Sequence, residues 1–171
     1  MKCNLPSIGW VKKALSKLGI VSDFAYCSYK SSPNLKLTST YQKLTVFEEL
    51  IPPVNISELN GDFTALSYGI FEWHLERIYQ NTDQNPSELP IQLYIEVRRN
   101  GIAAVDIDAP IGTATNPNEP VPAEFSTPFI FKVEKGDIFN FWFKSEDGIG
   151  VDPLNIRLVR VQIIANKIHN R

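Results

Sequence analysis

Cysteine, histidine and methionine are scarce in this chain of 171 residues, which has two, two and one of them. Cys3 and Cys27 both lie near the N-terminus and cannot build a disulfide framework. The histidines, His74 and His169, are too few for the imidazole sets that usually hold catalytic metals. No serine or cysteine stands in a Gly-x-Ser-x-Gly turn, and no glycine-rich phosphate loop occurs. No apolar run approaches the roughly 18 to 20 residues of a membrane span. Met1–Pro6 is not followed by an unbroken apolar stretch, so no secretory leader is expected and synthesis in a reducing compartment is. These absences point away from an enzyme, a cofactor carrier and a membrane protein.

What is present is ordinary globular composition, with 43% apolar and 21% charged residues in a length that suits one domain. The net charge of -2 conceals an uneven spread. Residues 1–37 carry six lysines against Asp23 alone, whereas the rest holds 11 basic and 18 acidic side chains. The join falls in the turn-forming cluster Ser31-Ser32-Pro33-Asn34. The chain therefore divides into a basic arm, 1–37, and an acidic body, 38–171.

The arm predicts a short helix from Ser7, a capping residue, to Gly19, a residue suited to a helix C-terminus. Ile8, Val11, Leu15 and Leu18 recur at intervals of three and four and share one face, and Lys12, Lys13 and Lys17 fall largely elsewhere. Such a helix can meet a membrane, nucleic acid or a protein. The arm contains no arginine, which ranks nucleic acid below a protein surface as its partner.

From Leu37 the periodicity changes to alternation. Thr40–Phe47 is rich in strand formers, and Phe63–Leu66 follows the turn signal Asn60-Gly61-Asp62. Phe71, Trp73 and Leu75 alternate with Glu72, His74 and Glu76, and Leu93, Ile95 and Val97 lead to the hairpin signal Asn100-Gly101. Phe129, Phe131 and Val133 precede the turn Lys135-Gly136-Asp137. The row Phe139, Phe141, Phe143 follows it, and Val159, Val161, Ile163 and Ala165 mark a last strand. About eight strands without an intervening helix predict an all-β, antiparallel sandwich. Residues 81–90 and 110–128, the latter rich in proline, are expected to be long exposed loops.

Several groups could carry chemistry and read more simply as structure. His74 between Glu72 and Glu76 has the spacing of a partial metal set, but a solvated strand face accounts for it. Asp106 and Asp108, and the segment Asp147–Asp152, lack the spacing of a known calcium loop and read as turn acids. No metal, cofactor or catalytic residue is expected.

The order Gly61-Asp62-Phe63-Thr64-Ala65, then Gly69-Ile70-Phe71-x-Trp73, resembles the early strands of tumour-necrosis-factor-like and complement-globular-head-like jelly rolls. Pro90-x-x-Leu93-x-Ile95-x-Val97-x-x-Asn100-Gly101 resembles their central strand. The run Phe129 to Phe143 around Gly136-Asp137 resembles their late hairpin. The resemblance covers roughly residues 40–166 and implies a homotrimeric jelly roll, with Phe139, Phe141, Phe143, Trp142 and Val161 in the packing from core to threefold axis. The same module is common in bacteriophage head fibres, decoration proteins and receptor-binding tips. The chain has no Gly-X-Y stalk, so the expected role is a virion structural protein, made in the host cytoplasm and joined to capsid or tail proteins by its arm. A second reading is a carbohydrate-binding module for a host-surface glycan, with Trp73, Tyr79 and Tyr94 as ligand aromatics. A third, a metal-dependent β-barrel enzyme, is disfavoured by the histidine count.

Overall fold

The computed structural model describes residues 25–81, 91–111, 123–146 and 156–169, all of them strands, turns and connections. Two antiparallel sheets face each other. In the first the order is β10 (Ala123–Val133), β7 (Gly69–Asn81), β12 (Ile156–His169), β1 (Tyr26–Ser31) and β4 (Glu48–Val54), with β2 (Leu35–Lys36) added to β12. In the second it is β5 (Ile56–Leu59), β6 (Asp62–Ala65), β11 (Ile138–Glu146), β8 (Ile91–Arg99) and β9 (Ile102–Ile111), with β3 (Gln42–Lys43) added to β11. The expected antiparallel sandwich is thus present.

Alternation decides which side chains enter the core. Phe71, Trp73 and Leu75 from β7 meet Phe139, Phe141 and Phe143 from β11 between the sheets, and all six are buried. Phe63 is the hub of this layer: its ring lies edge-on to Tyr29, Phe47, Trp73 and Phe141, with centroids 5.4, 5.0, 6.0 and 5.8 Å away. Edge-to-face geometry places ring hydrogens on neighbouring π faces, an arrangement more favourable than a face-to-face stack.

Two hairpins follow their turn chemistry. Asn60-Gly61 and Asn100-Gly101 have positive φ at both residues (53° and 78°, 52° and 81°), the twist a two-residue hairpin needs. Prolines within strands are confined to edges: Pro52 and Pro53 in β4, Pro110 in β9 and Pro128 in β10. A missing N–H does no harm on the open side of an edge strand and discourages pairing with another chain.

Three expectations are corrected. Tyr26–Ser31, assigned to the arm by charge, is a strand between β12 and β4, pairing Cys27 with Ala165 and Tyr29 with Ile163. The sandwich therefore starts by Ala25, and the charge step near residue 37 does not mark its boundary. Thr40–Phe47 contributes only the two-residue β3, and the edge strand β4 follows it. The proline-rich loop is shorter than 110–128, because Ala123–Pro128 already pairs with Tyr79–His74. The helix expected over Ser7–Gly19, with Ile8, Val11, Leu15, Leu18, Lys12, Lys13 and Lys17, lies outside the described residues.

Candidate functional site: two sheet faces and two ends

The outward face of the second sheet carries a polar lattice, with Leu59 and Ile138 exposed beside it. Lys43 reaches Asp62 at 2.6 Å, and Asn140 donates to the same carboxylate at 2.9 Å. Burial raises the Asp62 carboxyl pKa, but the hydrogen bonds from Lys43 and Asn140 and the Lys43 charge outweigh it and hold the group below the usual range. The Trp142 indole donates to Asn140 Oδ1 at 2.8 Å, and the Arg98 guanidinium lies 4.0 Å from the Trp142 ring centre while pairing with Glu96. Lys144 stands over the rings of Tyr94 and Tyr41, 4.3 and 4.9 Å from their centres, and pairs with Glu146 at 2.6 Å. Tyr41 donates to Asp106 at 3.0 Å, and Tyr94 donates to Gln92. Cations over aromatic rings and partnered carboxylates make this face self-sufficient in water.

The outward face of the first sheet differs. Its middle row, read across the strands, is Ile51, Ser28, Ile164, His74 and Pro128. One adjacent row is Val54, Tyr26, Asn166, Glu72 and Ile130; the other is Glu48, Lys30, Gln162, Glu76 and Ser126. Ile51 is 42% exposed and Ile130 63%. The polar contacts here are looser: Lys30 to Glu48 at 3.2 Å, His74 to Glu72 at 3.3 Å and Arg160 to Gln162 at 3.2 Å. Ile51, Ile164, Pro128 and Ile130 thus stand on this face interspersed with Ser28, His74 and Glu72.

The two ends of the sandwich also differ. The strand ends that flank residues 82–90, 112–122 and 147–155 lie together, since Ile156 pairs with Asn81, Ala123 with Tyr79, Ile91 with Ile111 and Glu146 with Gln92. Ala25, where the arm joins, is at the opposite end; its carbonyl accepts from Lys167 N near the close of β12. That end is fastened by Asp137, which accepts from Asn100 Nδ2 and from Glu134 N, each at 2.8 Å, and pairs with Arg99. Burial raises the Asp137 pKa, but those hydrogen bonds and the Arg99 charge prevail and hold it below the usual carboxylate range. The clasp ties the Asn100-Gly101 hairpin to the Gly136-Asp137 turn.

The expected site residues separate accordingly. Phe139, Phe141, Phe143 and Val161 are fully buried between the sheets, so they are core and cannot reach an axis outside it. Trp142 is half-buried in the polar lattice. Trp73 and Tyr79 are buried as well, which removes them as a sugar platform; Tyr94 lies under Lys144. Tyr79 shares the interior with Arg77, whose guanidinium donates to Thr127 at 2.9 Å. Burial raises the Tyr79 hydroxyl pKa and lowers that of Arg77. Sequence reasoning missed this pair, although a charged residue in the inward register of β7 is a visible signal. Among the described residues no group of three histidine, cysteine or carboxylate side chains could hold a metal, and no helix is long and apolar enough to cross a membrane. Asp147–Asp152 lies outside the described residues.

No family model matches the chain, and no curated protein does. Among solved structures, the globular domain of zebrafish complement 1qA protein matches with a TM-score of 0.57 and 17% identity, over 86% of this chain and 98% of that one. Rabbit GITRL matches over 85% of this chain and 96% of that one, with a TM-score of 0.45 and 14% identity. At this identity the likeness concerns the fold, and the chain has the jelly-roll sandwich of the complement C1q globular domain.

Proposed function

We propose that the chain is a non-enzymatic structural module that forms a homotrimer through the outward face of the sheet β10-β7-β12-β1-β4. The contrast between the two sheet faces carries this reading: one face pairs its polar groups closely, with Leu59 and Ile138 exposed at its β5-β6 side, and the other sets Ile51, Ile164 and Ile130 among loosely held ones. The jelly roll it shares with the C1q domain supports three copies around an axis. Aliphatic side chains on a sheet face gain from being covered, at about 25 cal/mol for each Å² removed from water.

The same topology supports a division of labour along the long axis. Ala25 lies at one end, and the strand residues Asn81, Ile91, Ile111, Ala123, Glu146 and Ile156 lie at the other. An attachment through the Ala25 end would anchor a trimer to a larger body and leave the other end distal. We take the body to be a virion assembled in a host cytoplasm, with the chain as a head-fibre, decoration or tail component bound to capsid or tail proteins. The basis is the bacteriophage setting in which such modules recur.

Light scattering on the full chain tests the association. The expected mass is three times the 19.3 kDa of one chain, and Ile164→Glu should return it to one. A monomer at all concentrations, or a trimer indifferent to Ile164→Glu, would remove the assigned face. Deleting residues 1–24 then tests attachment, and the trimer should persist without them. The cut belongs before Ala25, because removal of residues 1–37 would also take β1 and β2.

A further inference from the structure

His74 stands in the middle row of the sheet face assigned above to self-association, and the following inference rests on that assignment; the register also places His169 on this face, opposite Ile70 at the far end of β12. It stands in the middle row, between Ile164 on β12 and Pro128 on β10, with Glu72 and Glu76 before and after it on β7. Its Nε2 is 3.3 Å from Glu72 Oε2, and the two side chains are 35% and 32% exposed. The neighbours across β12 are Gln162, Ile164 and Asn166, and those across β10 are Ser126, Pro128 and Ile130, none of them titratable. Charged groups on the same face stand further off: Lys30 and Glu48 pair with each other on β1 and β4, Arg160 lies opposite Ile78, and Lys132 lies opposite Ile70. Glu124 also stands opposite Ile78 in the register of β10. The immediate surroundings of His74 therefore hold two carboxylates and no cation.

Covering this face with a second copy withdraws Glu72 and Glu76 from water. Charges taken out of water are costly unless an opposite charge comes with them. A neutral His74 leaves both carboxylates uncompensated in every copy, whereas a protonated His74 compensates one of them and donates to Glu72. We infer that association through this face takes up protons at His74, so that the trimer tightens as the pH falls through the range in which histidine titrates, about 8 to 6. The proton comes from solvent and returns to it on dissociation.

Each proton taken up shifts an association constant by about tenfold per pH unit where uptake is complete. A dilution series of the full chain by sedimentation velocity at pH 8 and pH 6 should show the monomer–trimer equilibrium at least about tenfold tighter at pH 6. His74→Gln, on a partly exposed strand face, should remove that dependence. His169→Gln, which alters the exposed histidine near the chain end, should keep it. A trimer of equal strength at both pH values, or a dependence retained in His74→Gln, overturns the inference and leaves the association standing. A chain monomeric throughout overturns the association itself. Where the trimer persists at the lowest concentration, the urea midpoint of dissociation is compared instead, and coincident midpoints at the two pH values overturn the inference.

Discussion

Replacing Phe63 with alanine is expected to remove about 4 kcal/mol of stability. Phe63 is fully buried, and its ring joins the sheets: it sits on β6 of one sheet and lies edge-on to Trp73 and Tyr29 of the other. Phenylalanine-to-alanine changes in cores cost about 3–5 kcal/mol, and the outcome depends on how far the surroundings collapse. Here four aromatic rings meet at one side chain, and rigid rings collapse poorly into a void. Each lost edge contact adds about 0.5–1.5 kcal/mol beyond area, though not additively, which places the expectation in the upper half of the range. Phe63→Leu keeps most of the volume and should cost about 1.5 kcal/mol. The assay is equilibrium urea unfolding of the full chain followed by tryptophan fluorescence, at one fixed chain concentration because association would couple to folding. A loss below about 1.5 kcal/mol for Phe63→Ala would refute the role of Phe63 as the joint between the sheets.

Three further outcomes can be checked. Gly61 has φ +78°, and a Cβ there would meet the Leu44 carbonyl oxygen at 2.0 Å, whereas Gly101 has φ +81° and open space around it. Gly61→Ala should therefore cost at least about 2 kcal/mol and Gly101→Ala about 1 kcal/mol in the same unfolding assay. Burial pushes the Cys27 thiol up to about 12, against a small opposing effect of its hydrogen bond with the Ala165 backbone. In a Cys3→Ser background, a thiol reagent at pH 8 should titrate Cys27 only after denaturant is added. Asp137 has a lowered pKa in the folded chain, so the stability it contributes is complete above the ordinary carboxylate value, about 4, and is lost as pH falls through the lower folded value. Asp137→Asn should flatten the acid limb of a stability-versus-pH profile while lowering stability at neutral pH.

The sandwich was legible in the sequence because alternation is a local property. Phe71-Trp73-Leu75, Leu93-Ile95-Val97 and Phe139-Phe141-Phe143 each declare an inward row, and Asn60-Gly61 and Asn100-Gly101 declare their turns through backbone conformations that few other residues adopt. Two of the strands that escaped notice, β1 and β4, have no such signature. Tyr26–Ser31 is mostly buried, with Tyr26 and Lys30 half-buried, yet carries serines and a lysine, and Glu48–Val54 contains two prolines that only an edge position tolerates. Their strand character comes from the partners they pair with, far along the chain.

The surface was harder to read, for a related reason. A sequence can say that Trp142 and His74 point away from a core row, but what lies beside them depends on register between strands that may be 90 residues apart in the chain, as Ile164 and His74 are. Only the tertiary structure placed Arg98 over Trp142 and Lys144 over Tyr94, turning a candidate packing residue and a candidate ligand aromatic into parts of one polar lattice. It alone buried Trp73 and Tyr79, and it alone set Ala25 at the end opposite Asn81, Ile91 and Glu146. By itself the sequence determined the class of fold, because burial of alternate side chains is written residue by residue. Which side chains stand together on each outward face was decided only when the strands were laid side by side, since hydrogen-bond pairing and charge compensation act between residues that are neighbours in space and strangers in sequence.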